Sequence, residues 1–531
     1  MNTIEYLHNQ ARMQPDSLAI AAPSLAKGKI AEYTYLGLKE LIDRFAVFLS
    51  EKITKGDKVV MLVPLSAELY CAILASISLG AVPVLYEPKE IGYQLRNTLR
   101  ILNPDVVITT PLINIFLSGI NAFKKIKKKI FLSEKTISMI NFVQKKDFTP
   151  VSVSENSPAI ITFTSGSEGI PKGIYRTHRF LDIQFKTLQK YLKLDSSHVI
   201  FTTLPVFVLQ MLAAGSTVII PETKNNLPWR PYPEKSISLI RKYNVNMLMG
   251  APAFLNGFIR YSFDKGIRLD SVKTAYVGGG FLENKLIYQL EKVISKEGEI
   301  KIIYGSTEAE PICVCSPKNI EGFGEKYGFL GYSVGKPVEG AEVKIIALKK
   351  GNITDSEMKE LFHGEIGELV VSGIHVNDMY IPKEPAFGRN KIIGKEGKLW
   401  HRMGDAAYID EHGNIWLAGR FKHLPDKILN NFWNYLRLIS EIKKADIADN
   451  IAFVEDKNNP QKSNLFIEAK RGIIFNSLVN SLRFEKTIKR LCRKYSLIPD
   501  RILFRKEIPK DRRHNSKIDY GRLKGKISGK L

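Results

Sequence analysis

Residues 164–173 read Thr164-Ser165-Gly166-Ser167-Glu168-Gly169-Ile170-Pro171-Lys172-Gly173, and the chain on either side is arranged around them. Upstream, Ala159–Phe163 is a short apolar run that predicts a strand. Downstream, Thr177 can cap a helix whose apolar positions Leu181, Phe185, Leu188 and Leu192 fall at i, i+4, i+7 and i+11. A strand, a loop of glycines and hydroxyls with one lysine, and then a helix suits an anion. Glycines let main-chain N–H groups turn toward it, hydroxyls add donors, and the lysine supplies charge. Lys172 is followed by Gly173 rather than Ser or Thr, so the loop is not of the Walker A type. By composition alone the same ten residues fit a surface loop; their order carries the anion-binding reading.

The chain has 531 residues, enough for at least two domains, and its 44% hydrophobic and 25% charged residues are those of a globular protein. Asn2–Gln10 holds Glu5 and no apolar run suited to a secretory signal. Leu69–Tyr86 is uncharged but contains Gly80 and Pro83, which predicts a buried helix running into a strand rather than a membrane span. Val199–Pro221 is broken by Pro205, Gln210 and Gly215. The four cysteines, Cys71, Cys313, Cys315 and Cys492, are too few and scattered for a disulfide framework, so reduced thiols and a cytoplasmic location are expected. The net charge is +24. From Arg420 to Leu531 there are 27 lysines and arginines against 12 acids, an excess of 15. No nucleic-acid motif accompanies this excess, so nucleic acid is not the expected partner. A basic face for an anionic substrate or carrier fits as well, and contact with a membrane surface is left open.

Residues 1–110 alternate between helical and strand patterns. Tyr35–Lys52 and Glu68–Leu79 predict helices; Lys58–Val63, Val82–Leu85 and Val106–Thr109 predict strands. The lysine-rich Phe123–Lys135 predicts an exposed helix or loop, and Phe201–Leu209 a further apolar stretch. Val245–Met249, Thr274–Val277 and Ile302–Tyr304 predict strands that run into Gly250-Ala251-Pro252, Gly278-Gly279-Gly280 and Gly305-Ser306-Thr307-Glu308. In an open α/β sheet the ligand crevice lies outside the strands' carboxyl ends, where such turns meet. From Gly328 the pattern becomes β-rich, and from Arg420 it becomes a smaller, basic α+β segment.

These motifs, in this order, resemble the AMP-forming acyl-adenylating enzymes: acyl-CoA synthetases, luciferases and adenylation domains. The resemblance rests on 164–173 with Thr177-His178-Arg179, on Tyr304-Gly305-Ser306-Thr307-Glu308 and on Gly367-Glu368-Leu369-Val370-Val371-Ser372-Gly373. It rests further on Trp400-His401-Arg402-Met403-Gly404-Asp405, Leu417-Ala418-Gly419-Arg420 and Asn515-Ser516-Lys517-Ile518-Asp519. It implies an α/β fold: a large N-terminal AMP-binding domain (1–419) of stacked α/β subdomains with a β-rich section, and a small mobile α+β lid (420–531). It implies ATP and Mg2+, with CoA or an acyl carrier protein as a candidate thiol partner. Thr164, Ser165, Gly166, Ser167, Gly169 and Lys172 would cradle phosphates, and Glu308 would hold Mg2+. Thr307 would touch the α-phosphate. Tyr304 and Gly278–Gly280 would face adenine, and Asp405 and Arg420 the ribose. Lys517 would bridge the carboxylate and the α-phosphate, which makes Lys517, Thr307 and Glu308 the candidate catalytic residues. His178, Phe207 and Gly279 are the acyl-site candidates.

Each of these residues has an ordinary alternative. Asp405 could cap a turn, Glu308 could partner a turn, Lys517 could be one more tail lysine, and His178 could make a structural hydrogen bond. The sequence also departs from the family pattern. Glu168 stands where relatives carry a hydroxyl, and Leu204-Pro205-Val206-Phe207 replaces an aromatic–His pair. The hinge candidate after Arg420 is Lys422, and the Gly-containing loop that helps form a thiol tunnel in ligases is not recognisable in Pro425–Ile439. The stretch 511–517 and Pro205-Val206-Phe207 resemble the β-lactone synthetases of bacterial olefin biosynthesis, in which the substrate's own β-hydroxyl attacks the acyl-AMP. The resemblance therefore implies acid adenylation followed by acyl transfer to a thiol, with β-lactone closure as the alternative. A non-catalytic nucleotide or acyl binder of the same fold is the rival outside enzymology.

Overall fold

The structure, a computed structural model, describes residues 3–26, 29–86, 93–144, 147–164, 171–280, 282–316, 331–445, 448–456, 459, 462–469, 478–509, 518 and 520–525. Two compact units are formed. One takes in Met1–Val314 and Ile374–Phe387; the other takes in Cys315–Gly373 and Gly388–Asp511.

The first unit holds two sheets. One is seven-stranded, in the order Tyr380–Ile381, Lys172–Thr177, Pro158–Thr164, Val82–Leu85, Lys58–Leu62, Val106–Thr109, Lys128–Phe131. Its last five strands are mutually parallel. The other is eight-stranded, in the order Ala309–Cys315, Glu299–Ser306, Thr274–Gly278, Met247–Gly250, Val199–Thr202, Thr217–Ile219, Leu18–Pro23, Ile30–Thr34. Its run from Glu299–Ser306 to Leu18–Pro23 is parallel. The alternating α/β pattern of the sequence thus becomes two largely parallel sheets, as such alternation requires.

One core joins the two sheets. It takes Ala19, Ile200 and Val218 from one sheet, Val59, Met61 and Val106 from the other, and the helices Tyr35–Ser50 and Ala67–Ser78. All twelve residues of Ala67–Ser78 are buried, and Ser66 caps the helix by accepting from the Leu69 N–H. The uncharged run Leu69–Tyr86 is therefore a core helix followed by the strand Val82–Leu85. Among the described residues no helix is long and apolar enough to cross a membrane.

Two local readings need correction and one is refined. The segment after Lys172 is not loop and then helix: Lys172–Thr177 is a strand antiparallel to Pro158–Thr164, with Thr164 opposite Lys172. Ile174, Tyr175 and Thr177 are β-formers, and Arg176 buries there beside them. The helix follows, over His178–Leu192, capped by the Thr177 hydroxyl. Phe201–Leu209 divides into the strand Val199–Thr202 and the helix Pro205–Ala213, with Pro205 in the first turn, where its missing N–H costs nothing. The lysine run contains the edge strand Lys128–Phe131, where lysines also discourage edge-to-edge pairing.

The second unit has a six-stranded sheet built on Tyr332–Gly335, Ile415–Arg420, Leu399–Ile409, Gly367–Ser372 and Glu342–Ile346, with Lys391–Ile393 also paired to Leu399–Ile409. A three-stranded sheet, Ala448–Glu455, Ser463–Ala469 and Arg501–Arg505, follows. Phe421, Leu424, Ile428, Phe432 and Phe453 share one core with Ala406.

Candidate functional site

In the first unit, the hairpin Pro158–Thr164/Lys172–Thr177 carries Lys172 at the start of its second strand. Ser165, Gly166, Ser167, Glu168 and Gly169 lie outside the described residues. Lys172 Nζ lies 2.6 Å from Glu308 Oε1. Glu308, only 4% exposed, sits in the two-residue turn Thr307-Glu308 between the strands Glu299–Ser306 and Ala309–Cys315. A buried carboxylate needs a cation, and Lys172 is one. One hard oxygen donor of this kind suits Mg2+ shared with phosphate oxygens better than an all-protein cage.

Two residues outside the sequence reading hold this pair. The Tyr380 ring lies under Lys172 Nζ, 5.5 Å from its centroid, and Tyr380 is 5% exposed. Burial, with the Glu308 and Asp378 carboxylates adding to it, pushes the Tyr380 phenol far above its usual range, so it stays protonated. The Asn377 N–H donates to the Glu308 carbonyl at 2.7 Å. The Asn377 side-chain amide donates to the Tyr175 carbonyl, and its Oδ1 accepts from the Met379 N–H at 2.8 Å. Tyr175 N–H donates to the Met379 carbonyl at 3.0 Å, and Tyr380–Ile381 continues as a strand against Gly173 and Ile174. The segment 374–381 therefore ties the strand of Lys172 to the turn of Glu308. The strand Tyr380–Ile381 has two residues, too few for an alternating pattern to show.

The three small or polar turns expected at strand ends do line up. Met247–Gly250, Thr274–Gly278 and Glu299–Ser306 are adjacent and parallel, so their carboxyl ends share one edge. Gly278 lies opposite Ile303, next to Tyr304, and a Cβ at Gly278 would come within 2.8 Å of the Ile303 carbonyl oxygen. Gly279 has φ +77°, a conformation that favours glycine. Phe207 is half-buried on the helix Pro205–Ala213 and packs on the large core.

His178 is buried at the start of its helix, and its Nδ1 accepts from the Thr3 N–H at 3.1 Å and lies 2.8 Å from the Thr3 hydroxyl. Burial lowers its pKa to about 4, which keeps the ring neutral. Its observed partner is thus the amino-terminal segment.

In the second unit, Asp405 is 8% exposed within the strand Leu399–Ile409 and lies directly opposite Arg420. Arg420 Nε is 2.8 Å from Asp405 Oδ1, and Arg420 Nη1 donates to the Met403 carbonyl at 2.9 Å. Gly404 has φ +69°, and a Cβ there would sit 3.2 Å from Arg420 Nη1 and 3.2 Å from Lys422 Cε. Asp405 is therefore a strand residue rather than a turn cap. Arg402 and Glu368, both fully buried, pair at 2.6 Å, and Arg402 also donates to the Lys349 and Gly351 carbonyls. Lys422 Nζ lies 3.6 Å from the other Glu368 oxygen. Lys517 lies outside the described residues.

The cysteines are free thiols. Burial raises Cys315 to about 12 and Cys492 to about 11, away from thiolate chemistry.

Comparison with known proteins identifies the family. Residues 7–381 match the family model described as AMP-binding enzyme. The chain is 27% identical over 439 residues to an olefin beta-lactone synthetase of Stenotrophomonas maltophilia, covering 79% of each chain. It is 25% identical to a 4-coumarate–CoA ligase of Vanilla planifolia, covering 76% of this chain and 73% of that one. Its fold matches that of the O-succinylbenzoate coenzyme A synthetase of Bacillus subtilis, solved with ATP and a magnesium ion, with a TM-score of 0.71 at 18% identity over 98% of this chain and 99% of the other. The chain belongs to the AMP-binding enzyme family, with olefin beta-lactone synthetases and CoA ligases among its relatives.

Proposed function

We propose that the protein uses ATP and Mg2+ to convert a β-hydroxy fatty acid to its acyl-adenylate, and that the substrate's own hydroxyl then closes a β-lactone. The observation that carries the adenylation reading is the Lys172–Glu308 pair at 2.6 Å. It holds a cation suited to phosphate beside a buried carboxylate suited to Mg2+. A substrate carboxylate oxygen would attack the α-phosphorus, the P–O bond to the β-phosphate would break, and pyrophosphate would leave. Thr164, Ser165, Gly166, Ser167, Gly169 and Lys172 would hold the departing phosphates, and Thr307 the α-phosphate. Tyr304 with Gly278, Gly279 and Gly280 would receive adenine, and Asp405 with Arg420 the ribose. Lys517 would offset the meeting charges of the carboxylate and the α-phosphate. Mg2+, held by Glu308, would supply further positive charge there. Phe207 and Gly279 are the favoured acyl contacts; His178, engaged by Thr3 through Nδ1, could reach the acyl chain only through its other edge.

In the second step the β-hydroxyl oxygen would attack the acyl carbon. The carbon–oxygen bond to AMP would break, AMP would leave, and the hydroxyl proton would pass to solvent. Residues 425–439, where a Gly-containing thiol-tunnel loop is expected of ligases, contain no glycine and form the helices Asp426–Leu429 and Phe432–Lys444, with Ile428, Phe432 and Tyr435 buried. This helical content and the olefin beta-lactone synthetase relatives support cyclisation. Capture by a thiol of CoA or an acyl carrier protein is the second reading, supported by the CoA ligase relatives. The free cysteines suit a reducing, cytoplasmic setting. A lid hinged near Lys422, from about residue 420 onward, completes the proposal.

The test is incubation with ATP, Mg2+ and a fatty or β-hydroxy fatty acid, with and without CoA, followed by mass spectrometry. A lactone formed without CoA supports cyclisation, and a CoA-dependent thioester selects the second reading. Absence of ATP–pyrophosphate exchange across a broad panel of acids would overturn adenylation itself.

A further inference from the structure

The helix Pro111–Leu117 packs Ile113 and Leu117 inward and turns a second apolar side outward. Leu112, Ile115 and Phe116 fall at i, i+3 and i+4, so they share a face, and they are 63%, 67% and 66% exposed. The helix leaves the strand Val106–Thr109, whose Thr109 lies opposite Phe131 of the edge strand Lys128–Phe131. Side chains alternate across a strand, and the buried Val107 lies opposite Lys129. Lys129 and Phe131 therefore share the sheet face on which Leu117, Ile120, Phe123 and Ile126 pack. Phe131, 37% exposed, adds an apolar side chain on that sheet face. The helix Glu134–Phe142 buries Ile140 in the core on the other face, so the exposed Met139 and Phe142 lie outside this patch.

The surroundings are cationic. Between 111 and 144 the sequence has six lysines, no arginine and one acid, Glu134. Lys124, at the end of the next short helix Asn121–Lys124, and Lys125 and Lys127 beyond it are exposed. Lys128 pairs with Asp57, and Lys129 donates to the Ile126 carbonyl.

We propose that this patch docks the enzyme on an anionic phospholipid surface, with Leu112, Ile115 and Phe116 entering the headgroup boundary and the lysines meeting lipid phosphates. Three exposed apolar side chains rimmed by positive charge have the composition of an interfacial anchor. Nucleic acid would give those side chains no apolar partner. Protein interfaces are enriched in arginine and depleted in lysine, the reverse of this rim. Diffuse headgroup phosphates suit flexible point charges rather than a planar fork. The docking surface is independent of the adenylation chemistry, because vesicle flotation reads binding alone.

The test floats the full chain with vesicles of phosphatidylcholine, alone or with about 30% phosphatidylglycerol, at about 0.1 M and about 0.5 M salt. The wild type should bind the anionic vesicles at low salt and lose most of that binding at high salt. The L112S/I115S/F116S variant and the K124E/K125E/K127E variant should each bind at least about tenfold more weakly. M139S/F142S, altered on the opposite face, should bind like the wild type, and all three should keep wild-type pyrophosphate exchange with a short soluble acid. Failure of the wild type to bind anionic vesicles, or unchanged binding by both triple variants, would overturn the proposal. A concentration-dependent dimer that the apolar triple variant abolishes, without vesicle binding, would assign the face to a second copy instead.

Discussion

The Lys172 ammonium and the Glu308 carboxylate lie 2.6 Å apart and hold each other. If Glu308 binds Mg2+ and Lys172 binds phosphate, the two must separate when the nucleotide arrives. Lysine and metal then compete for one carboxylate.

That competition predicts opposite effects on two constants. Lys172→Ala should raise KM for ATP while lowering the Mg2+ concentration needed for half-maximal activity, because Glu308 loses a competing cation. Glu308→Gln should raise the Mg2+ requirement and lower kcat by about 10²–10³-fold, the usual scale for one removed electrostatic group. Initial rates over a grid of ATP and Mg2+ measure both. Unchanged Mg2+ dependence in Glu308→Gln would remove this residue from the metal site.

Tyr380→Leu should raise KM for ATP by about 2- to 30-fold, the worth of about 0.5–2 kcal/mol of cation–π attraction, and leave kcat at saturating ATP nearly intact. Tyr380→Phe keeps the ring and should restore most of the loss, since the buried phenol is protonated and brings no charge of its own. A fall in kcat without a change in KM would contradict a role in holding Lys172.

Lys517→Ala should nearly abolish pyrophosphate exchange while leaving ATP binding, read by calorimetry, close to wild type. Equal loss of both would show that the residue serves binding rather than the transfer step.

Arg402→Ala should destabilise the second unit by about 3–5 kcal/mol, because it leaves the buried Glu368 charge without its closest cation. The double variant Arg402→Met/Glu368→Leu, which removes both charges, should recover much of that loss. Guanidinium unfolding gives both values, and equal stability of the single and double variants would contradict the argument.

His178 contributes a pH dependence whose sign follows from burial. Its pKa falls from 6.5 to about 4 on folding, so between these values the unfolded chain binds more protons than the native one. Its contribution is complete above pH 6.5 and is lost as pH falls toward 4, by up to about 3 kcal/mol. His178→Asn, which keeps a side-chain acceptor for Thr3, should flatten the melting temperature across that window. An unchanged slope would assign the pH dependence to other groups.

The large α/β architecture was legible because Val82–Leu85, Val106–Thr109 and the cap at Thr177 are governed by local signals, namely apolar runs, glycine turns and a capping hydroxyl. The strand Lys172–Thr177 was not, because its hydrogen-bond partners are Pro158–Thr164 on one side and Tyr380–Ile381, two hundred positions away, on the other. Among the candidate site residues, Lys172 stood out in its glycine-rich loop, and Glu308, Asp405 and Arg420 through the family motifs that hold them; the fold pairs them as 172 with 308 and 405 with 420. Asn377 and Tyr380 did not stand out: an amide and a ring that act by holding a neighbour leave no pattern along the chain. Exposure was equally unreadable in the sequence, since Leu112, Ile115 and Phe116 look like core residues until the helix is seen facing solvent.

The chain enters the second unit at Cys315, returns to the first for Ile374–Phe387, and leaves again at Gly388. On the ribosome, the strand Lys172–Thr177 therefore waits about 200 residues for Tyr380–Ile381, with one side open to any strand that passes. Until then Lys172 has neither its aromatic floor nor the tether that fixes Glu308. The nascent chain cannot assemble the Lys172–Glu308–Tyr380 cluster early, and a ribosome that stalls before codon 381 leaves the strand Lys172–Thr177 with an open edge of the kind chaperones cover.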